Sequence, residues 1–391
     1  MLHAPTARKA LTGFFLSGVL FSFLGAILPA WGYHLRSNYS VIGLYFFSMN
    51  FGILLSIKAA QFLLARKGIA FVLAFSSGLA CAAFLFLAVV SGPVADWWRM
   101  SGLFWIGLSG GMVNTALFHA ISRIYKHDRA GTMNLAGAFF GLGCMATALL
   151  VAGTFYIYTV SSILAFLAVV PGMMAGVYAR SQFAAEAAPA QLSLSEMLAD
   201  LKSPMAVLLS LLLFFQFGNE WSVAGWLSIF LIQRLGVSPA SSLWLLAFYW
   251  LALLIGRFAA QALDRWISHR RLLFLSVLSA LLGCIFLTST NNVSGAFVGI
   301  LLVGAGFAPI YPLVAERIGD QFPRYHPGFF NGIFSFALTG GLMAPWMLGY
   351  FADLWGVKVI MLLPFLGSCM VMILVLLIWL ESKLSKAPGV S

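Results

Sequence analysis

Apolar runs of about 20 residues alternate with short polar breaks along the whole chain. Twelve such runs can be marked, roughly 11–33, 41–64, 69–91, 98–121, 131–155, 159–179, 204–232, 239–262, 272–289, 294–315, 326–350 and 358–380. Each is long enough to cross a bilayer as a helix. They are rich in Leu, Ala, Phe and Gly at lengths far beyond a strand, so helices are predicted rather than a barrel. The longest polar break, "SQFAAEAAPAQLSLSEMLADLKS" at 181–203, divides six runs from six. The expected organisation is an N-terminal six-helix bundle over 1–180, a linker over 181–203 and a C-terminal six-helix bundle over 204–391. Inside the linker, Ser193 and Glu196 have capping-box spacing, and Leu194, Met197, Leu198 and Leu201 follow at helical intervals. That pattern predicts a short amphipathic helix on the inner membrane surface; a mobile linker is the alternative.

Composition agrees with an all-α integral membrane protein. Of the 391 residues, 62% are hydrophobic and 8% charged, against about 25% charged in a soluble domain. The formal net charge is +11, which raises the question of nucleic acid. The positions of the charges answer it. With the N-terminus inside, the inner loops collect Arg8, Lys9, Arg66, Lys67, Arg123, Lys126, Arg129, Arg180, Lys202, Arg257, Arg265, Arg270, Arg271, Arg317, Arg324, Lys383 and Lys386. The outer loops hold Arg36, Arg99, Arg234 and Lys358. This is the positive-inside bias, and it places both termini in the cytoplasm of a multi-pass protein of the cytoplasmic, or inner, membrane. The basic balance is therefore a topology signal with no nucleic-acid partner implied. The first run is too long for a signal-peptide core and stays as helix 1. Cys81, Cys144, Cys284 and Cys369 all fall inside runs without a CxxC pair, so neither a disulfide framework nor a metal site is expected. No cofactor is implied.

The two halves resemble each other. "AAQFL" at 59–63 and "AAQAL" at 259–263 lie near the inner ends of the second helix of each half. "NLAGAFFGLG" at 134–143 and "NGIFSFALTGG" at 331–341 share their Asn, aromatic and Gly spacing. Parallel six-helix repeats with a site between them near the midplane are one transporter architecture.

The chain is similar to the major facilitator superfamily. "GRFAAQALDRWISHRR" at 256–271 resembles the superfamily signature between helices 8 and 9. "FGNEWSVAGWLSIFLIQRLGVSPA" at 217–240 with "AFYWLALLIGR" at 247–257 resembles helices 7 and 8 of the fucose:proton symporter-like branch of sugar transporters. "GAGFAPIYPLVAERIGDQFP" at 304–323 with "TGGLMAPWMLGYFAD" at 339–353 resembles its helices 10 and 11, and "NLAGAFFGLG" its helix 5. The resemblance implies two pseudo-symmetric six-helix bundles, a cavity lined by helices 1, 4, 5, 7, 8, 10 and 11, and symport of a small solute with protons. Two departures stand out. The loop between helices 2 and 3 reads "FLLARKG", without the Asp the superfamily usually places there, and helix 1 lacks the acidic residue of proton-coupled sugar members.

Between Pro204 and Arg234 the one charge is Glu220, inside "FFQFGNEWSVAGW" at 214–226. Fourteen residues from Arg234 correspond to about 21 Å of helix, near the midplane. A charge there costs at least about 2.5–3.5 kcal/mol. It must face a polar cavity or carry a proton, and either suits a proton-coupling or solute-binding group. Gln216, Asn219 and Glu220 stand at i, i+3 and i+4, so they are expected to share a face. Trp226, seven beyond Asn219, continues the stripe. Two amides, a carboxylate and an indole would suit sugar hydroxyls and the C–H face of a ring. The structural alternative is that Glu220 ties helix 7 to a neighbour. Asn114, Asn134 and Asn331 are further binding candidates, weighed against interhelical hydrogen bonds. Asp264, Arg265, Arg270, Arg271, Arg123, Glu316 and Arg317 could form an inner gating network, or be solvated loop charges.

Enzyme readings find little support. "GLSGG" at 107–111 fits GxSxG only formally, because a nucleophile elbow needs a strand-to-helix turn. No GxxxxGK[ST] or HExxH is present. The expectation is a monomeric secondary transporter of a small polar solute, a sugar above all, coupled to protons. An exporter of amphipathic compounds, a passive sugar uniporter and a non-transporting membrane receptor are the alternatives.

Overall fold

A computed structural model describes residues 5–34, 38–92, 95–127, 129–183, 202–263, 265–322 and 332–384. Eleven helices there are long and apolar enough to cross a membrane. One of them, Tyr39–Val89, has 51 residues, about 77 Å of helix against a hydrocarbon layer of about 30 Å. It leaves helical geometry at Gly68, with φ 78° and ψ 175°. Only glycine enters that region without a steric penalty. The stretch therefore crosses twice, as arms 39–67 (α2) and 69–89 (α3), and the crossings total twelve.

The remaining elements are α1 (Pro5–His34), α4 (Asp96–His127), α5 (Arg129–Thr154), α6 (Val160–Ala179), α7 (Pro204–Leu235), α8 (Pro239–Leu263), α9 (His269–Ser289), α11 (Gly332–Trp355) and α12 (Val359–Leu384). Between α9 and α11, α10 is broken into α10a (Val293–Phe307) and α10b (Ile310–Gln321). Pro309 lies at the break and caps α10b; it has no amide to continue the ladder of α10a. Helix α2 starts at Asn38, whose side chain accepts from the Val41 amide at 2.8 Å. Pro204 opens α7 and Gly236, with φ 65°, closes it.

Helices α1–α6 pack with one another, as do α7–α12; the two sets meet mainly along α1–α7, α2–α11 and α5–α8. An even number of crossings returns both chain ends to one face, the chain-end face. Toward the far face the two sets are close. The Gly43 and Gly349 backbones touch between α2 and α11, and Gly25 meets Ala224 and Gly225 between α1 and α7. Pro345 supplies no amide to α11 and bends it. Carbonyls beside the bend take donors from other helices: Asn50 Nδ2 donates to Leu342 O at 2.6 Å and Trp226 Nε1 to Pro345 O at 2.9 Å.

"GLSGG" lies inside α4. A side chain at Gly107 would collide with the Met49 carbonyl, and one at Gly111 with Ser56, so these glycines let α4 lie against α2. Cys144 and Cys284 are buried, Cys81 and Cys369 half-buried, and all four are free thiols.

Candidate functional site

Between the two bundles lies a cavity of about 180 Å³. It occupies the chain-end half of the molecule. Phe14 comes from the first half of α1 and Phe21 from its middle, Asn114 and Phe118 from the second half of α4, and Met133 to Phe140 from the start of α5. The other bundle supplies Phe217, Glu220 and Trp221 from α7, Arg257 from the end of α8, Tyr311 and Pro312 from α10b, and Phe334 and Leu338 from α11.

The wall is largely aromatic, and Glu220 and Arg257 are the only charged side chains among the described residues that line it. Glu220 is buried, 9% exposed. Arg257 lays its guanidinium over Gly137 of α5, in the space a Cβ would fill. The two interact electrostatically, but their charged atoms do not come within the 4.0 Å of a direct ion pair. The pair thus faces the cavity as two separate groups, each open to a third partner. Gln216 is wholly buried one turn before Glu220. Its amide acts on the carboxylate but stands outside hydrogen-bond geometry. Asn114, also on the cavity wall, accepts from Ser17 Oγ at 3.1 Å. Nearby, the buried Tyr249 hydroxyl has no hydrogen-bond partner among the described residues.

Residues 10–345 match the Major Facilitator Superfamily. The chain belongs to that superfamily. A relative described as an uncharacterised major-facilitator-type transporter of Yersinia pestis is 25% identical over 143 residues, which is 37% of this chain and 37% of that relative's length. Among solved structures, the superfamily transporter FucP in its outward conformation aligns at TM-score 0.67 and 16% identity, over 96% of this chain and 99% of its own. A second structure of FucP, the fucose:proton symporter of E. coli, aligns at TM-score 0.64 and 16% identity, over 95% and 98%. The nucleoside transporter NupG aligns at 0.72 and 11% identity, over 96% and 99%. The major facilitator fold of two six-helix bundles is common to them.

The superfamily fold distributes the sequence candidates unevenly. Glu220 and Asn114 face the central cavity. Asn134 lines a smaller space of about 60 Å³ on its chain-end side, with Glu316 and, again, Arg257. Asn219 turns away: its Nδ2 donates to Ser368 Oγ of α12 at 3.4 Å, and its amide packs on Gly367. One residue along a helix is about 100° of rotation, so Asn219 and Glu220 diverge. Trp226 also leaves the expected stripe. It is fully buried toward the far face, stacked on Phe46 at 5.6 Å, with its N–H given to Pro345. Of the charge cluster, Glu316 reaches His269 at 3.9 Å, Arg317 feels the like charge of Arg270, and Arg265, Arg270 and Arg271 are exposed. Asp264, Asn331, the Arg123 side chain and the linker helix over 193–201 lie outside the described residues.

Sequence reasoning missed Arg257 as a site residue, counting it among the topology charges. It also counted Arg99 as an outer loop charge. Arg99 is 2% exposed, bound to Tyr45 Oη at 3.1 Å, Gly92 O at 3.0 Å and Asp96 at 3.3 Å.

Proposed function

We propose that this superfamily member moves a small polar solute, a sugar or a related polyol, across the cytoplasmic membrane by alternating access, coupled to protons through Glu220. The observation that carries the reading is the carboxylate of Glu220 facing Arg257 inside a cavity walled by aromatic rings at the junction of two bundles. Rings offer flat faces to C–H groups, while Asn114, Tyr311 and the charged pair offer donors and acceptors to hydroxyls. The neighbours FucP and NupG, a fucose:proton symporter and a nucleoside transporter by their titles, accord with a small polar solute.

In this reading the bundles 1–180 and 204–391 rock about the central cavity. The far side is held by α1–α7 and α2–α11, and the cavity lies toward the chain ends, which the positive-inside bias assigns to the cytoplasm. Glu220 takes its proton when the cavity faces outward and releases it inward, and the protein acts as a monomer.

A thermal-shift screen of the purified protein tests this, with wild type and Glu220→Gln on either side of neutral pH, against sugars, polyols, nucleosides and cationic drugs. A ligand stabilises the native state by mass action. Stabilisation of wild type by one polar class, lost or made pH-independent in Glu220→Gln, supports the symporter. Stabilisation by bulky hydrophobic cations alone would mark an exporter, which the phenylalanine-rich wall would also suit. A polar-solute response indifferent to pH and to Glu220 would mark a uniporter.

A further inference from the structure

Resting on the symport reading above, we propose that the solute is a hydroxylated carboxylic acid, such as a sugar acid, with its carboxylate on Arg257 and the co-transported proton on Glu220. Charge balance among the cavity's side chains selects the class of solute. Among the described lining residues, the cavity holds one negative group, Glu220, and one positive group, Arg257. The two cancel.

Coupling requires Glu220 to accept a proton, and that cancels nothing: it removes the negative charge and leaves the guanidinium, which does not deprotonate in proteins. The groups around the pair cannot replace the lost charge. Tyr249 of α8, Tyr311 of α10b and Cys144 of α5 face it, with Tyr125 of α4 beyond Tyr311; phenols and thiols are neutral at physiological pH. A half-buried guanidinium at membrane depth without a counter-charge is costly. A neutral sugar would load the cavity in that charged state. A carboxylate would restore neutrality, and its two oxygens match the planar fork of an arginine.

The geometry allows the exchange. Glu220 and Arg257 interact without closing into a direct ion pair, and the Arg257 Nε is buried without an acceptor among the described residues. The cavity is then neutral both empty and loaded. Each cycle carries one proton and one anion together, with no net charge moved through the site.

The test is uptake into proteoliposomes holding the full chain, with matched pairs that differ only in the acid: galacturonate against galactose, and glucuronate against glucose. The expected result is an acid preferred over its neutral partner by about tenfold or more. Its accumulation should follow the pH gradient and ignore a potassium-diffusion potential. Arg257→Gln should abolish acid uptake, and Arg257→Lys should retain part of it, a ranking by charge that a folding defect would not produce. Uptake of the neutral member with the acid inert overturns the assignment and leaves solute symport standing. Acid uptake that follows the potential, or that survives Arg257→Gln, also overturns it. No uptake of either member of either pair overturns both readings.

Discussion

Asp353, at the end of α11, accepts hydrogen bonds from the amides of Tyr39 at 3.1 Å and Ser40 at 2.8 Å, the first residues of α2 in the other bundle. The Ser40 hydroxyl joins the same carboxylate. A carboxylate at a helix N-terminus satisfies orphan amides and meets the positive end of the helix dipole. Because donor and acceptor belong to different bundles, the contact stabilises the far-side closure as well as α2. Removing such a cap costs about 1 kcal/mol, or about fivefold in a two-state equilibrium. Asp353→Ala should therefore raise the population opened to the far face about fivefold, and Asp353→Asn by less. The measurement is maleimide labelling of Leu28→Cys, 2% exposed toward the far end of α1, in a background without the four native cysteines. Unchanged labelling would show that Asp353 caps α2 without holding the bundles together.

Glu220→Gln keeps the shape of the side chain and removes its ionisable proton. Accumulation driven by a pH gradient should disappear, while exchange of solute between the two sides persists, since the mobile cavity is intact. Counterflow and gradient-driven uptake, measured on the same proteoliposomes, separate the two.

Gly137→Ala puts a methyl group where the Arg257 guanidinium now lies. Alanine is the better helix residue by about 0.5–1 kcal/mol, so the melting temperature should hold or rise. Solute affinity should fall by about tenfold, the worth of a displaced charged hydrogen bond. Calorimetric melting and equilibrium solute binding should thus move in opposite directions. A parallel loss of both would place Arg257 in the packing of α5 on α8 rather than in the site.

Gly68→Ala should do the reverse. The φ of 78° with ψ of 175° there costs an L-residue about 1–3 kcal/mol, and Gly68 stands clear of the cavity. The expected result is a lower melting temperature with unchanged solute affinity.

The contrast between these sites marks what the chain discloses by itself. Hydropathy exposes the crossings because the bilayer sets a minimum length, and it exposes Glu220 because a carboxylate in mid-span has no bland surroundings. The same logic hides Arg257. It lies near the end of an apolar run, where arginine ordinarily signals topology, and only the packing of α5 on α8 carries its head inward. It also groups Asn219 and Trp226 with Glu220 on one stripe, whereas their side chains pack against other helices. Helical spacing says which residues can share a stripe, but the neighbouring helices decide what each stripe faces. Asn219 meets α12 and Trp226 meets the bend in α11, neither of which leaves a mark in the sequence of α7.

Trp226→Phe decides between the two roles of that residue. The aromatic stack on Phe46 survives the change, and the hydrogen bond to Pro345 O does not. The carbonyl beside the α11 bend is left without its donor in a water-poor region. Interhelical hydrogen bonds in membranes are worth about 0.6 kcal/mol on average and up to about 1.7, so the melting temperature should fall modestly. Solute affinity should stay unchanged, because Trp226 does not line the central cavity. Binding isotherms for the best solute from the thermal-shift screen check this. A tenfold loss of affinity with an unchanged melting temperature would return Trp226 to the binding surface and would require the cavity to extend toward the far face when the bundles rock.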